Sequence, residues 1–554
     1  MTDKEIKDIV EDIKFDAANI PDPMMQRSFS ASLNLNESFY KENKLLRTKI
    51  QHLEDEIANL KGEQGKPDIK ANKNKNKDGN ISSETERKKR LTTSSKKKKK
   101  KKKSKLKIHE TRNCSIDKNT LPKDAALQGH VPEIVQDIII KEHNIKFLRE
   151  IYYSPSLKQT FIADVPVGWE GDFSPNIKAL VLTLHHDSMM SQSAIESFFK
   201  THKIDISETT ISRIISEKYT DVFCREQLDI VKAGLQSTTY QQIDDTGSRV
   251  NGKNCYTHIL CNPFYTAYFA RPNKNRMTVL ELITGNNIEY LANEEAYLLM
   301  KQFKLAGKWI DVLKAENFYG SLSKENIDQI LLKIFPDQNK YRKNRKTIIE
   351  ACAIASYRQK LDAIAILICD DAGQFKFITE YLGLCWVHEG RHYKKLTPIF
   401  QWHKKILVEF ISDFWDFYVK LIEYKAHPSE SSAACISKEF DNLFKKTTHY
   451  SDLDERIQTT YTKKEQLLLV LKYPYIPLHN NASEQGVRRE KRKSDISFQT
   501  RSSNGTKAKD AGMTIVETAR KHGINTYKYF IEMITKQSDR KRLSELILQA
   551  AYST

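Results

Sequence analysis

A chain of 554 residues with 39% hydrophobic side chains is long enough for several domains and can bury at least one large core. No window approaches the roughly 18 consecutive apolar residues of a membrane span, and the opening MTDKEIKDIVEDIKFD lacks a signal-peptide apolar segment. No membrane contact is therefore expected, and the protein should stay where it is made, the cytoplasm and nucleoid if the source is prokaryotic. The eight cysteines include no CxxC pair and read as reduced thiols rather than a zinc site. The net charge of +19 points to a polyanionic partner, but it is unevenly spread: Lys61 to Lys107 holds 20 Lys and Arg against 5 Asp and Glu, leaving only +4 elsewhere.

In chain order, an N-terminal tail (1–33) precedes a heptad seam (34–62). Phe39, Asn43, Leu46, Ile50, Leu53, Ile57 and Leu60 recur at alternating steps of four and three, with Asn43 as the single polar a residue. This pattern fits a parallel dimeric coiled coil; the plainer reading is one amphipathic helix packed on its own chain. A lysine-rich segment (63–125) contains the homopolymer Lys96 to Lys103 and should be disordered by self-repulsion. It reads as a solvated linker or as a tether for DNA phosphates. The same run fits a nuclear-import signal, so a nuclear location stays open. Residues 126–235 read as two short strands around a Ser-Pro turn, then short helices started by Ser174 and Ser207. The last of these resembles a helix-turn-helix whose Thr209, Thr210, Ser212 and Arg213 face a groove, although three short helices are common in any α-domain.

From Thr238 the period changes to that of strands. TTYQQID, NCYTHILC and YTAYFARP form an antiparallel meander whose first turn carries the hairpin signal Asn251-Gly252. A long helical stretch, about 279–361, follows. Then come the β run AIAILICDDAG, the short run GLCWVH, helices from about Tyr393 to Lys472, and a helix capped by Asn480 or Asn481. The order meander, helices, fourth strand is that of a ribonuclease-H-like mixed sheet flanked by helices, in an α+β multidomain chain. Such a sheet brings Asp244 and Asp370 together. Paired carboxylates repel unless a cation lies between them, so they ask for a hard divalent metal. Glu484, with Arg488 and Lys491 on the same helix face, completes a set for two ions and a phosphate surface. Asp245, the strand neighbour of Asp244, points to the opposite face and should pair or help close the hairpin.

IDDTGSRVNGKN, LICDDAGQF, CWVHEGRHYKKL, IPLHNNASEQGVRREKRK and ETARKHGINTYKYF resemble the DDE transposases of the insertion sequence 66 family, from about His143 to Tyr529. The resemblance implies a catalytic domain over 236–500 and a helical C-terminal segment over 501–554. It implies Asp244, Asp370 and Glu484 as catalytic residues and ligands of two Mg2+ or Mn2+ ions. The activity it implies is cleavage of element ends and joining of the freed 3′-hydroxyl to target DNA. Arg488, Arg489, Lys491, Arg492, Lys493, Arg213 and Thr210 are then expected on DNA, and His388 and Arg391 near the DNA or the leaving phosphate. A homodimer and accessory transposition proteins are the expected protein partners. The chain departs from the family in three ways: it lacks the cysteine zinc module, it spaces Asp244 and Asp370 by 125 residues, and it has His479 where the family has Asp. These departures keep open a non-catalytic DNA-binding protein derived from a transposase.

Two other motifs compete. His388 to His392 matches HExxH, but Gly390 should weaken a helix there and no third zinc ligand is evident. GSRVNGKN resembles a phosphate-binding loop, but Asn254 stands where a Ser or Thr should bind magnesium, and strands flank it.

Overall fold

The computed structural model describes residues 20–60, 107–116, 130–285 and 287–553. Most of the expected lysine-rich segment, including Lys96 to Lys103, lies outside them. The first two strands, β1 (Ile151–Ser154) and β2 (Gln159–Ile162), form the small antiparallel pair expected around the Ser-Pro turn. Ser174 and Ser207 cap the helices Pro175–Leu182 and Glu208–Arg213 through their hydroxyls, as their positions foretell.

β3 (Tyr240–Val250) and β4 (Lys253–Cys261) are joined by Asn251 and Gly252, both at positive φ (47° and 75°), as a type I′ hairpin requires. β5 (Thr266–Arg271) completes the meander. The predicted helical stretch 279–361 is not continuous. Its helices are interrupted by β6 (Tyr290–Ala292) and β7 (Gly320–Leu322), a short ribbon covered by the helix Arg342–Arg358. Three-residue strands are too short to carry a period, so the sequence shows only the helices around them.

β8 (Ile366–Cys369) then enters the sheet beside β3, and β9 (Tyr381–Leu384) follows. The five-stranded order is β5-β4-β3-β8-β9, with β3, β8 and β9 parallel and the meander antiparallel. β8 is buried along its whole length, which explains its unbroken apolar run.

The open edge of β5 is closed by side chains. The helix Ser503–Lys521 offers Asp510, Thr514 and Thr518 at four-residue steps, and these accept the N–H groups of Ala270 (2.6 Å), Tyr268 (3.1 Å) and Thr266 (3.3 Å). Four helical residues rise about 6 Å and two strand residues about 6.6 Å, so the two repeats stay in step. An edge that would invite another strand is thereby covered.

On the far side, the helices Gln401–Ala426, Glu430–Phe444 and Ser451–Tyr461 pack an aromatic cluster around Trp386, Phe414 and Phe440. The N-terminal helix runs Pro23–Leu60 and so begins inside the segment expected as a tail. Its first half docks on this helical region: Leu33 packs with Phe400 and Trp402, and Asn34 donates to the carbonyl of His449 (3.0 Å). Its second half exposes Leu46, Ile50, Leu53 and Ile57 along the heptad seam. One helix therefore packs on its own chain at one end and presents an apolar stripe at the other.

Candidate active site

The parallel register of β3 and β8 pairs Gln242 with Ile368. Continued by two residues, it sets Asp370 beside Asp244, at the point where β8 ends. Asp244 accepts the N–H of Asp245 (2.8 Å), and Asp370 accepts that of Ala372 (3.1 Å). Neither carboxylate has an ion-pair partner among the described residues. Burial, then the charges of Asp370, Asp245 and Glu484, push the Asp244 carboxyl up to about 7. Burial also raises Asp370, with Asp245 and Asp371 adding to it.

The third acid comes from the helix Asn481–Ser497, which crosses β3 and β4. Its start is fixed by Asn480, which is fully buried and, contrary to the expected capping role, makes no side-chain bond to the helix. Its amide instead donates to the carbonyl of Ile243 (2.8 Å), the residue before Asp244, while its own N–H meets the Cys385 sulfur (3.3 Å). One residue thus ties β3, the β9 exit and the helix together. Gly486 lets the helix lie close on the sheet: a Cβ there would stand 2.7 Å from Ile259 Cγ2.

Glu484, in the first turn, is held by Arg391, which donates to Oε2 (3.0 Å), with Arg488 at 3.7 Å. His388 Nδ1 lies 3.6 Å from Oε1, which has no hydrogen-bond partner in the protein. Burial lowers the His388 pKa, with Glu484 opposing and Arg391 assisting. The neutral ring accepts from Arg391 at Nε2 (3.1 Å), leaving Nδ1 to carry the proton toward Glu484. His388 and Arg391, for which a place near the DNA or the leaving phosphate is expected, both lie against Glu484. A sulfur, a ring nitrogen and a carboxylate oxygen of Cys385, His388 and Glu484 also lie within 4.8 Å of one another.

Asp245 is engaged on its own side, accepting from Gln374 (2.6 Å) and lying 3.5 Å from Lys274. The HExxH segment is helical after all, within Trp386–Lys394, and Gly390 is needed there because a Cβ would stand 2.7 Å from Trp415. Its Glu389 is nevertheless buried between Arg456, Lys463 and Thr460, and is not free to act as a base.

The expected DNA-contacting cations divide. Arg488 is half exposed, and Lys491 and Arg492 are exposed. Arg489 points inward, donating to Glu517 (2.7 Å) and the carbonyl of Asp187 (3.0 Å). Lys493 is only 2% exposed, donates to the carbonyl of His185 (2.8 Å), and is pushed down by burial to about 7. Where DNA contact is expected of both, Lys493 is thus buried and Arg489 is engaged within the protein. Arg213 is exposed, and Thr210 is half-buried with its hydroxyl against that of Ser207 (3.0 Å).

The family model described as "Transposase IS66 family" matches residues 341–508, a span that includes Asp370, His388, Arg391 and Glu484. An uncharacterized protein, y4jO, of Sinorhizobium fredii is 30% identical over 311 residues, covering 54% of this chain and 93% of that protein. The chain belongs to the IS66 transposase family. No helix of the described residues is long and apolar enough to cross a membrane.

Proposed function

We propose that this IS66-family chain is a DDE-type DNA transposase, cleaving element ends and transferring the strand to target DNA through a ribonuclease-H-like catalytic domain. The observation that carries the reading is the convergence of Asp244, Asp370 and Glu484 from two parallel strands and a crossing helix, with Asp244 raised by burial and by the charges of Asp370 and Glu484, and Asp370 raised by burial. The donor set is all oxygen, and Glu484 Oε1 lacks a protein partner, which suits Mg2+ or Mn2+. Two such ions, when bound, supply activation of the attacking oxygen and stabilisation of the leaving one. The chain's own residues do the rest. Asn480 fixes the helix to β3 and Gly486 lets it lie on β4, and Arg391 with His388 orients Glu484. Arg488, Lys491 and Arg492 present positive charge for the DNA backbone, with Thr210 and Arg213 as further contacts.

The exposed seam from Leu46 to Ile57 supports self-association through a coiled coil, which would let two active sites act on two element ends. The deciding experiment is an end-cleavage and strand-joining assay with Mg2+ added or withheld. Metal-dependent products that vanish in Asp244→Asn, Asp370→Asn and Glu484→Gln are expected. Binding of DNA without products would instead mark a transposase-derived binding protein.

A further inference from the structure

The helix that carries Glu484 ends in a strained residue. Phe498 has φ 55° and ψ −58°, and the N–H of Gln499 reaches back to the carbonyl of Ser497 (2.6 Å). That is a γ-turn of the rare, unfavourable kind, occupied by a bulky side chain where glycine would be easier. The turn is fixed on both sides. Phe498 N–H donates to Ser494 (2.7 Å), while Gly252 donates to Gln499 Oε1 (2.7 Å) and Asn251 to the carbonyl of Thr500 (2.8 Å) at the tip of the β3-β4 hairpin. The strain secures no burial, because the ring is 81% exposed.

Beside the ring opens a cavity of about 540 Å³ whose lining includes Arg249, Lys493, Arg501 and Lys509, with the acids Glu208 and Glu490. Lys509 is taken by Glu490 (2.6 Å), whereas Arg249 and Arg501 are exposed and have no carboxylate partner among the described residues. The lining also includes Ser212 and Ser216 of the helix-turn-helix-like segment. Between this place and Glu484 the same helix shows Arg488, Lys491 and Arg492 to solvent. Fourteen helical residues span about 21 Å, or roughly six base-pair steps.

We propose that Phe498 is a base-stacking contact for DNA, presented by its strained turn, with Arg249 and Arg501 gripping the flanking phosphates at a fixed distance from the three carboxylates. An aromatic ring aimed at solvent beside unpaired guanidinium groups is the equipment that single-stranded or unstacked nucleic acid requires. This rests on the transposase reading but assigns a site that the three acids do not include.

The test uses the full-length protein in EDTA, so that no cleavage is involved, with fluorescent mixed-sequence duplexes that are either intact or gapped in one strand. Wild type should prefer the gapped duplex, and Phe498→Ala should lose roughly five- to tenfold on it while changing little on the intact one. Phe498→Trp should retain the preference. Phe498→Gly should lose it yet melt no lower than wild type, since the turn is relieved. Arg249→Ala and Arg501→Ala should weaken both duplexes and each reduce the salt slope by about one. If wild type binds both duplexes and Phe498→Ala matches it on each, the stacking contact is wrong and the transposase reading stands. If wild type binds neither, both fall.

Discussion

Glu37 and Asp244 are both carboxylates taken out of water, and the chain treats them in opposite ways. Glu37, on the docked half of the N-terminal helix, is surrounded by donors: Lys41 (2.7 Å), His403 (2.7 Å) and the Tyr450 hydroxyl (3.1 Å). Burial alone would raise its pKa, but hydrogen bonds from His403 and Lys41 outweigh it and the net shift is downward. Asp244 receives one backbone N–H and otherwise faces acids, so burial and repulsion act in the same direction, upward. A buried acid given its cations by the fold serves the fold. One left among other acids holds a proton or, on the proposed reading, takes a metal ion from outside.

The largest effect that sharpens this contrast lies in the site. Asp244→Asn, Asp370→Asn or Glu484→Gln should each lower strand cleavage and joining by about 10³-fold or more, since each removes a charge that the reading assigns to metal. DNA binding should be largely retained, and gel-resolved products against binding isotherms separate the two. Wild-type cleavage by any of them breaks the assignment. Next comes Glu37→Gln, which leaves His403 and Lys41 facing a neutral amide. The expected cost is on the order of 3 kcal/mol in unfolding free energy, read from denaturant or thermal melts. The matching Asp244→Asn in metal-free buffer should cost nothing. Equal destabilisation by the two would erase the distinction.

Gly486→Ala sits between the two regions in kind. The added methyl would meet Ile259, itself fully buried, and push the helix off the sheet at an expected cost of about 2 kcal/mol. Because Glu484 rides on that helix, activity should fall further than the stability loss explains. Comparing the rate at saturating metal with the melting temperature would show this, and an unchanged rate in a stably folded variant would refute it.

The sheet was readable in the sequence wherever chemistry is local. Asn251-Gly252 announces its turn, the apolar run before Asp370 announces a buried strand, and the order of these runs predicts which carboxylates meet. What was not readable depends on partners far along the chain. RREKRK looks like one basic surface, yet Lys493 lies buried on the carbonyl of His185 and Arg489 on that of Asp187. Gly390 looks like a helix breaker until Trp415 is seen against it, and Asn480 looks like a cap until Ile243 is. Charge, glycine and asparagine each have a local meaning and a tertiary one, and only contacts decide between them.

The smallest effect follows from the raised pKa of Asp244. Its folded-state value is about 7 against an ordinary 3.8, so between those two pH values the folded protein holds a proton that the unfolded chain releases. The contribution to stability is therefore fully present below about pH 4 and lost as pH rises through 7. Three pKa units correspond to about 4 kcal/mol at most, and coupling to Asp370 and partial solvent access reduce this to on the order of 2 kcal/mol. In EDTA, the stability difference between Asp244→Asn and wild type should shift in favour of the variant by that amount between pH 5 and pH 8. Glu37 has the opposite sign: its lowered pKa gives stability that is present above the ordinary carboxylate value and lost as pH falls. Adding Mg2+ at pH 8 should restore wild type and leave Asp244→Asn unmoved, because a divalent ion selects the ionised carboxylate. Parallel pH curves for wild type and Asp244→Asn would mean that Asp244 is as well compensated as Glu37, and that the site was never waiting for a cation.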